Sequence, residues 1–242
     1  MYHPLPEPRN HRKTILTNNM TTHLQREIEH LKNKLLELSA EVERSLSFAG
    51  KSLVDLDIRI AREVIEGDDR IDEDEVNIEE ECLKILALYQ PVAADLRFVI
   101  AVLKINADLE RMGDLAVNIC RYVIEIDKLG RVPVPTDFAE MCRRVQTLVS
   151  LSTESFLRRD VLVATEVLRL DKEIDRLNLK LIENIRSDIA KPGANVNALL
   201  YLFTATRTLE RIGDYATNVA EDVFYMVEGQ IIRHKNHGNT EK

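Results

Sequence analysis

Four pairs of carboxylates, each pair four residues apart, are the parts of this sequence best suited to chemistry. Glu110 and Asp114 form one pair and Glu210 and Asp214 a second; Asp68 with Asp72 and Asp171 with Asp175 complete the set. Positions i and i+4 share one side of a helix, so each pair presents its two acids together. Like charges so placed cost about 0.2–0.5 kcal/mol per pair, a cost that a bound cation reverses. Oxygen ligands of this kind suit hard cations such as Mg2+, Ca2+, Mn2+ or iron. A plainer reading competes. Arg111, Arg211, Asp108 and Arg207 stand at three-residue spacings along the same helices and would form surface ion-pair ladders, each worth little.

Duplication weighs towards the cation. The stretch from Leu109 to Cys120 recurs from Leu209 to Ala220 with seven of its twelve positions identical, at a spacing of 100 residues. The shared residues are Leu, Glu, Arg, Gly, Asp, Ala and Asn. Upstream, Asp68 to Asp72 and Asp171 to Asp175 both read D-x-x-I-D. Adjacent antiparallel helices would therefore bring four carboxylates together twice. Gly113 and Gly213 point the same way. A mid-helix glycine costs about 1 kcal/mol relative to Ala, so its presence twice beside the Asp marks the close approach of another backbone or a ligand. Tight helix packing alone would serve equally well.

Other chemistry is poorly supplied. All six histidines lie before residue 31 or after 233, so the Glu-x-x-His pairs of a ferritin-like di-iron site are missing. No H-E-x-x-H, phosphate-cradling glycine loop or nucleophile elbow is present. Cys82, Cys120 and Cys142 are scattered within apolar patterns and read as reduced core thiols. The chain is not expected to be an enzyme. A carboxylate-bridged metalloenzyme and a metal-free helical scaffold stand as the alternatives to a metal-binding protein.

The elements that must position these acids are helices. Leu24, Ile28, Leu31, Leu35, Leu38, Val42 and Leu46 step at helical spacing, and a break near Gly50 or Leu56 leads to a second helix of about nine turns ending at Gln90-Pro91. The third carries the cleanest stripe, Val102, Ile105, Leu109, Met112, Ala116, Ile119, Val123 and Ile126, until Gly130 stops it. At about 100° per residue, Glu110, Asp114 and Asn118 fall on the side away from that stripe. Leu96, Ile100, Leu103 and Ala107 occupy the same outer face upstream. The plan repeats after a proline-rich linker, and Pro192 breaks the chain 101 residues after Pro91. The fold class is all-α: two pseudosymmetric antiparallel three-helix bundles, six long helices in all, from an internal duplication.

This gives a disordered N-terminal extension over 1–20, a first repeat over 21–130, a linker over 131–135, a second repeat over 136–232 and a disordered tail over 233–242. Met20, just before the first helical pattern, is a second candidate for the start. A formal net charge of −8 argues against nonspecific nucleic-acid binding. No apolar run approaches the length of a membrane span, and the first twenty residues carry no secretory signal, so a cytoplasmic protein is expected.

Gln90 to Arg97, reading Gln-Pro-Val-Ala-Ala-Asp-Leu-Arg, together with both copies of the Leu-Glu-Arg-x-Gly-Asp unit, resembles the PhoU family of phosphate-signalling proteins across roughly residues 21–230. The resemblance implies a cytoplasmic negative regulator of phosphate uptake and of the phosphate-starvation response. Such a protein couples the ATPase subunit of a phosphate ABC transporter to a two-component sensor histidine kinase, often as a homodimer. It also implies surface metal clusters, with Fe, Mn, Mg, Zn or Ca as the ions. Carried over by position, their ligands are Glu110, Asp114, Glu210 and Asp214, with Asp68, Asp72, Asp171 and Asp175 from neighbouring helices and Asn118 and Asn218 as weaker candidates. Two departures stand out: Arg121 faces Glu221 across the repeat, and the second half lacks the equivalent of Asp95 and Arg97.

Overall fold

The structure is a computed structural model that describes the backbone of residues 10–231 and the side chains of 22–231. Seven helices and no strand occur among the described residues: α1 (Asn10–Asp55), α2 (Ile58–Glu66), α3 (Asp68–Tyr89), α4 (Ala93–Leu129), α5 (Asp137–Arg158), α6 (Val161–Ile189) and α7 (Val196–Glu228). They form three arms per half, as the duplication predicts, with one arm of the first half broken in two. The tail expected over 233–242 lies outside the described residues. So do residues 1–9 of the extension expected to be disordered over 1–20, while residues 10–20 are helical backbone, the start of α1.

The breaks have local causes. α1 passes straight through Gly50 and ends at Asp55, where Leu56 takes φ 49° and Asp57 caps α2 by accepting the Arg59 N–H at 2.9 Å. Gly50 is instead a point of close packing: a Cβ there would stand 3.1 Å from Cys142 Cβ on α5. The long second helix expected from sequence is interrupted at Gly67, whose N–H goes to the carbonyls of Glu63 and Val64. Asn195 joins the two halves at one end. Its side chain accepts the Ala198 N–H to start α7, and its Nδ2 donates to the carbonyls of Leu129 and Gly130 at the end of α4.

The two repeats share one core rather than holding two separate ones. Every residue of the α1 and α4 stripes named above is buried. α4 and α7 pack together and run antiparallel: Arg97 Nε donates to the Met226 carbonyl at one end, and the Tyr122 and Tyr201 rings meet at 5.9 Å towards the other. These pairings put the middle of the α4–α7 contact near Met112 and Ile212. α1 packs on α5, while α3 and α6, which do not meet each other, pack against α4 and α7 respectively. Between α4 and α7, Lys104 Nζ lies 3.0 Å from Asp222 Oδ1, a carboxylate with 1% of its residue surface exposed. Cys82, Cys120 and Cys142 are free and buried, and burial pushes all three thiols up to about 12.

Candidate metal centre

Two acidic seams run along the block, one where α3 lies on α4 and one where α6 lies on α7. The glycines set their depth. A Cβ at Gly113 would stand 3.2 Å from both Ile71 Cδ1 and Ile71 Cγ2, and one at Gly213 would stand 3.3 Å from Asp171 Oδ1 and 3.5 Å from Ile174 Cδ1. The Ile of each D-x-x-I-D is a knob seated on the glycine of the opposite helix. Its flanking Asp residues are thereby carried to the Glu and Asp on either side of that glycine. Packing and acid placement come from one device.

The electrostatics record the crowding. Burial raises Asp171 to about 7, helped by the charges of Asp175, Asp214 and Glu210. Burial likewise raises Asp68 to about 6, with Asp72 and Asp114 adding to it and Arg121 opposing. Glu110, Glu210 and Asp214 are all pushed above the ordinary carboxylate range, first by burial and then by neighbouring acids. Each seam therefore gathers four of the carboxylates expected from sequence. Glu75, one turn beyond Asp72, joins the first: it is raised by burial and by Glu79 and Asp72, and it acts in turn on Glu110. Its spacing from Asp72 was the only sequence signal for it.

The acids lie in part on the outer face that the helical angles predict: Asp114 and Asp214 are exposed, whereas Glu110 and Glu210 are only half-exposed. α4 is packed by α1, α2, α3 and α7, and α7 by α4, α5 and α6, so Glu110 and Glu210 are half-buried in the seams, and Asp72, Asp114, Asp175 and Asp214 reach solvent at their rims. Asp108, expected in a surface ladder with Arg111, is buried while pairing with it at 3.3 Å. The Arg207–Glu210 ladder does form, at 3.5 Å. Asn118 Oδ1 accepts from Arg121 Nη1 at 3.0 Å, which commits it within the first seam, and Asn218 is half-buried one turn past Asp214.

Among the described residues, no three His, Cys, Asp or Glu side chains stand converged as a finished ligand set. The seams are instead acids brought near one another by helix packing. The donor chemistry fits a hard, oxygen-seeking cation.

Comparison with known proteins places both halves in one lineage. The PhoU domain model matches residues 35–123 and again 138–223. The phosphate-specific transport system accessory protein PhoU homolog of Pseudomonas aeruginosa is 35% identical over 223 residues, covering 92% of each chain. The PhoU of Escherichia coli, of the same description, is 31% identical over 219 residues, covering 90% of this chain and 91% of that one. The crystal structure of the Pseudomonas aeruginosa PhoU superposes with a TM-score of 0.82, covering 85% of this chain and 99% of that one. The phosphate transport system regulatory protein PhoU of Streptococcus pneumoniae gives 0.80 at 25% identity, covering 86% and 98%.

Proposed function

This chain belongs to the PhoU domain family of phosphate-transport accessory and regulatory proteins, and from that premise we propose that it is a negative regulator of phosphate uptake acting as a metal-binding adaptor. The observation that carries the reading is the match of both repeats over nearly the whole chain, with relatives named as accessory or regulatory proteins rather than enzymes. In this reading it links the ATPase subunit of the phosphate ABC transporter to the sensor kinase in the cytoplasm, as a homodimer. No helix among the described residues is long and apolar enough to cross a membrane, so the transporter contact would be made from its surface.

Asp68 and Asp72 with Glu110 and Asp114 would hold a cation in the first seam, and Asp171 and Asp175 with Glu210 and Asp214 in the second. A bound cation would supply positive charge to offset their repulsion and burial. The acids come from two helices in each seam, so binding would pin α3 to α4 and α6 to α7 and fix the surface offered to partners. The test is genetic. Deleting the gene should derepress phosphate-uptake genes in phosphate-rich medium, and a copy on a plasmid should restore repression. Unchanged expression in the deletion strain would overturn the regulatory reading.

A further inference from the structure

A groove with an apolar floor leads from the end of α7 towards the first acidic seam. Leu96, Ile100, Leu103 and Ala107 repeat at helical spacing along α4, and none of them is buried. At about 100° per residue they lie between two lines of contact. On one side Arg97 and Lys104 reach α7, at the Met226 carbonyl and the Asp222 carboxylate. On the other Asn106 Nδ2 donates to the Glu75 carbonyl and to Glu75 Oε1 on α3. Burial raises Glu75 above the ordinary carboxylate range, and Glu79 and Asp72 beside it raise it further, so this wall is acidic. The floor runs on to Glu110, which is raised by burial and then by Asp114, Asp72 and Glu75. Asn106 Oδ1 is fully buried beside Glu75 and has no hydrogen-bond partner among the described residues, so a donor is missing at this point.

The chain itself arrives at the mouth of this groove. α7 stops at Gly229, whose φ of 72° turns the backbone beside the Arg97 side chain. Leu96, Val227 and Ile231 are all exposed at this end. The residues that follow read Ile232-Arg233-His234-Lys235-Asn236-His237, one apolar residue and then a basic run. The groove has the matching order, apolar first and acidic beyond. Its length matches too. Arg97 and Glu110 are about 20 Å apart along α4 at about 1.5 Å per residue. Six residues beyond Ile231 span up to about 20 Å at about 3.3 Å each, which carries the basic run to the level of Glu75 and Glu110. The corresponding groove of the second half is not acidic: Asn178 and Ile182 stand for Glu75 and Glu79, and Arg207 for Ala107. The segment that leaves α4 there, residues 131–135, is tied at both ends between α4 and α5.

We propose that residues 232–237 dock in this groove on their own chain, with Ile232 on Leu96 and Ile100 and the basic run against Glu75, Glu79 and Glu110. The occupant is this segment because it starts at the groove mouth and carries the apolar residue and the charges in the required order. Docking takes apolar surface out of water and sets cations beside a row of like-charged acids. It closes the α4 face of the first half to other proteins, whereas Leu200 and Phe203 on the α7 face of the second half stay exposed. The two repeats thus offer partners unequal surfaces. The groove needs no ion to receive the segment, so a failure of the cation reading would leave the docking intact.

Carbodiimide cross-linking of metal-stripped full-length protein tests it, because the reagent joins an amine to a carboxylate where the two meet. An equal mixture of unlabelled and isotope-labelled chains separates links within a chain from links between chains by mass. Lys180 and Asp137, 2.8 Å apart, supply a reference link that reports an intact fold. In low salt Lys235 should link to Glu75, Glu79 or Glu110 of its own chain, and high salt should weaken that link by screening. Ile232→Asp should cut its yield about tenfold relative to the reference link, the effect of losing one apolar anchor. A reference link without any Lys235 link to these acids would overturn the docking. So would a Lys235 link found only between chains, which would seat a second copy's segment in the groove, or a yield that Ile232→Asp leaves unchanged.

Discussion

Asp171 Oδ1 lies 3.3 Å from the point where a Cβ on Gly213 would stand. The closeness explains why glycine sits in the middle of α7, where no turn or positive φ calls for it. Gly113 does the same for Ile71 on α3. In both halves the missing side chain lets one helix settle deeply against another, and the acids arrive with it.

Gly213→Ala should therefore lose stability despite improving helix propensity. The added methyl would press on Asp171 and Ile174 at an overpacking cost of about 1–3 kcal/mol, against a helix gain of about 1 kcal/mol. A net loss of about 1 kcal/mol lowers Tm by about 2–4 °C for a chain of this size. Differential scanning calorimetry reads it directly. A rise in Tm would mean that α6 is not seated on this glycine.

Metal-free protein should become less stable as pH rises from about 4 to about 7. Asp68 at about 6 and Asp171 at about 7 hold their protons in the folded state after the unfolded chain, near 3.9, has released its own. The native state thus binds more protons across that window, and stability falls with rising pH. Cation binding should strengthen over the same range, because it needs the acids ionised. Asp171→Asn should flatten the upper part of the stability profile, with a gain at pH 7.5 held to about 1 kcal/mol by solvent screening at this partly exposed site. Urea midpoints measured from pH 4 to 8 decide it.

Lys104→Met should destabilise the joint between the two repeats. It removes the ammonium 3.0 Å from the buried Asp222 carboxylate and the cation over the Tyr225 ring. Taking the cation from a buried carboxylate costs about 1–3 kcal/mol here, less than for a fully buried pair because the Lys104 side chain is 37% exposed. Lys104→Met/Asp222→Leu should recover much of that loss. Equal stability of the single and double variants would show that the pair is not what the joint depends on.

Asn195→Ala should cost about 1–2 kcal/mol, at the upper end for an N-cap because the same side chain also holds the end of α4. Hydrogen exchange should speed up at the first turn of α7 and the last turn of α4 together. Faster exchange at α7 alone would mean that the link across Leu129 and Gly130 is idle.

The helical arms and their core were written in the sequence because apolar spacing and proline breaks are local signals. Leu109, Met112 and Ala116 are buried as their stripe requires. The surroundings of the acids were less legible. Angles measured on an isolated helix put Glu110 opposite the main stripe, yet they carry no information on what lies there, and α3 half-covers it. Asp108 shows the same gap: a three-residue spacing to Arg111 looks like a surface pair until α4 is enclosed. The interruption at Gly67 was hidden because that residue keeps φ −88° and ψ −6°, near helical values. Glu75 and Asn106 escaped notice because their significance lies in a contact between helices, where no repeat of the pattern marks it.

The most direct measurement of the central claim is anomalous diffraction from crystals of the metal-stripped full-length protein soaked in Mn2+. The account predicts anomalous peaks in both seams, bounded by Asp72 and Glu110 in the first and by Asp175 and Glu210 in the second. It also predicts that the Asp114→Ala/Asp214→Ala protein will lose or weaken both. Empty seams in the wild type, or peaks that the double variant retains at full height, would contradict it.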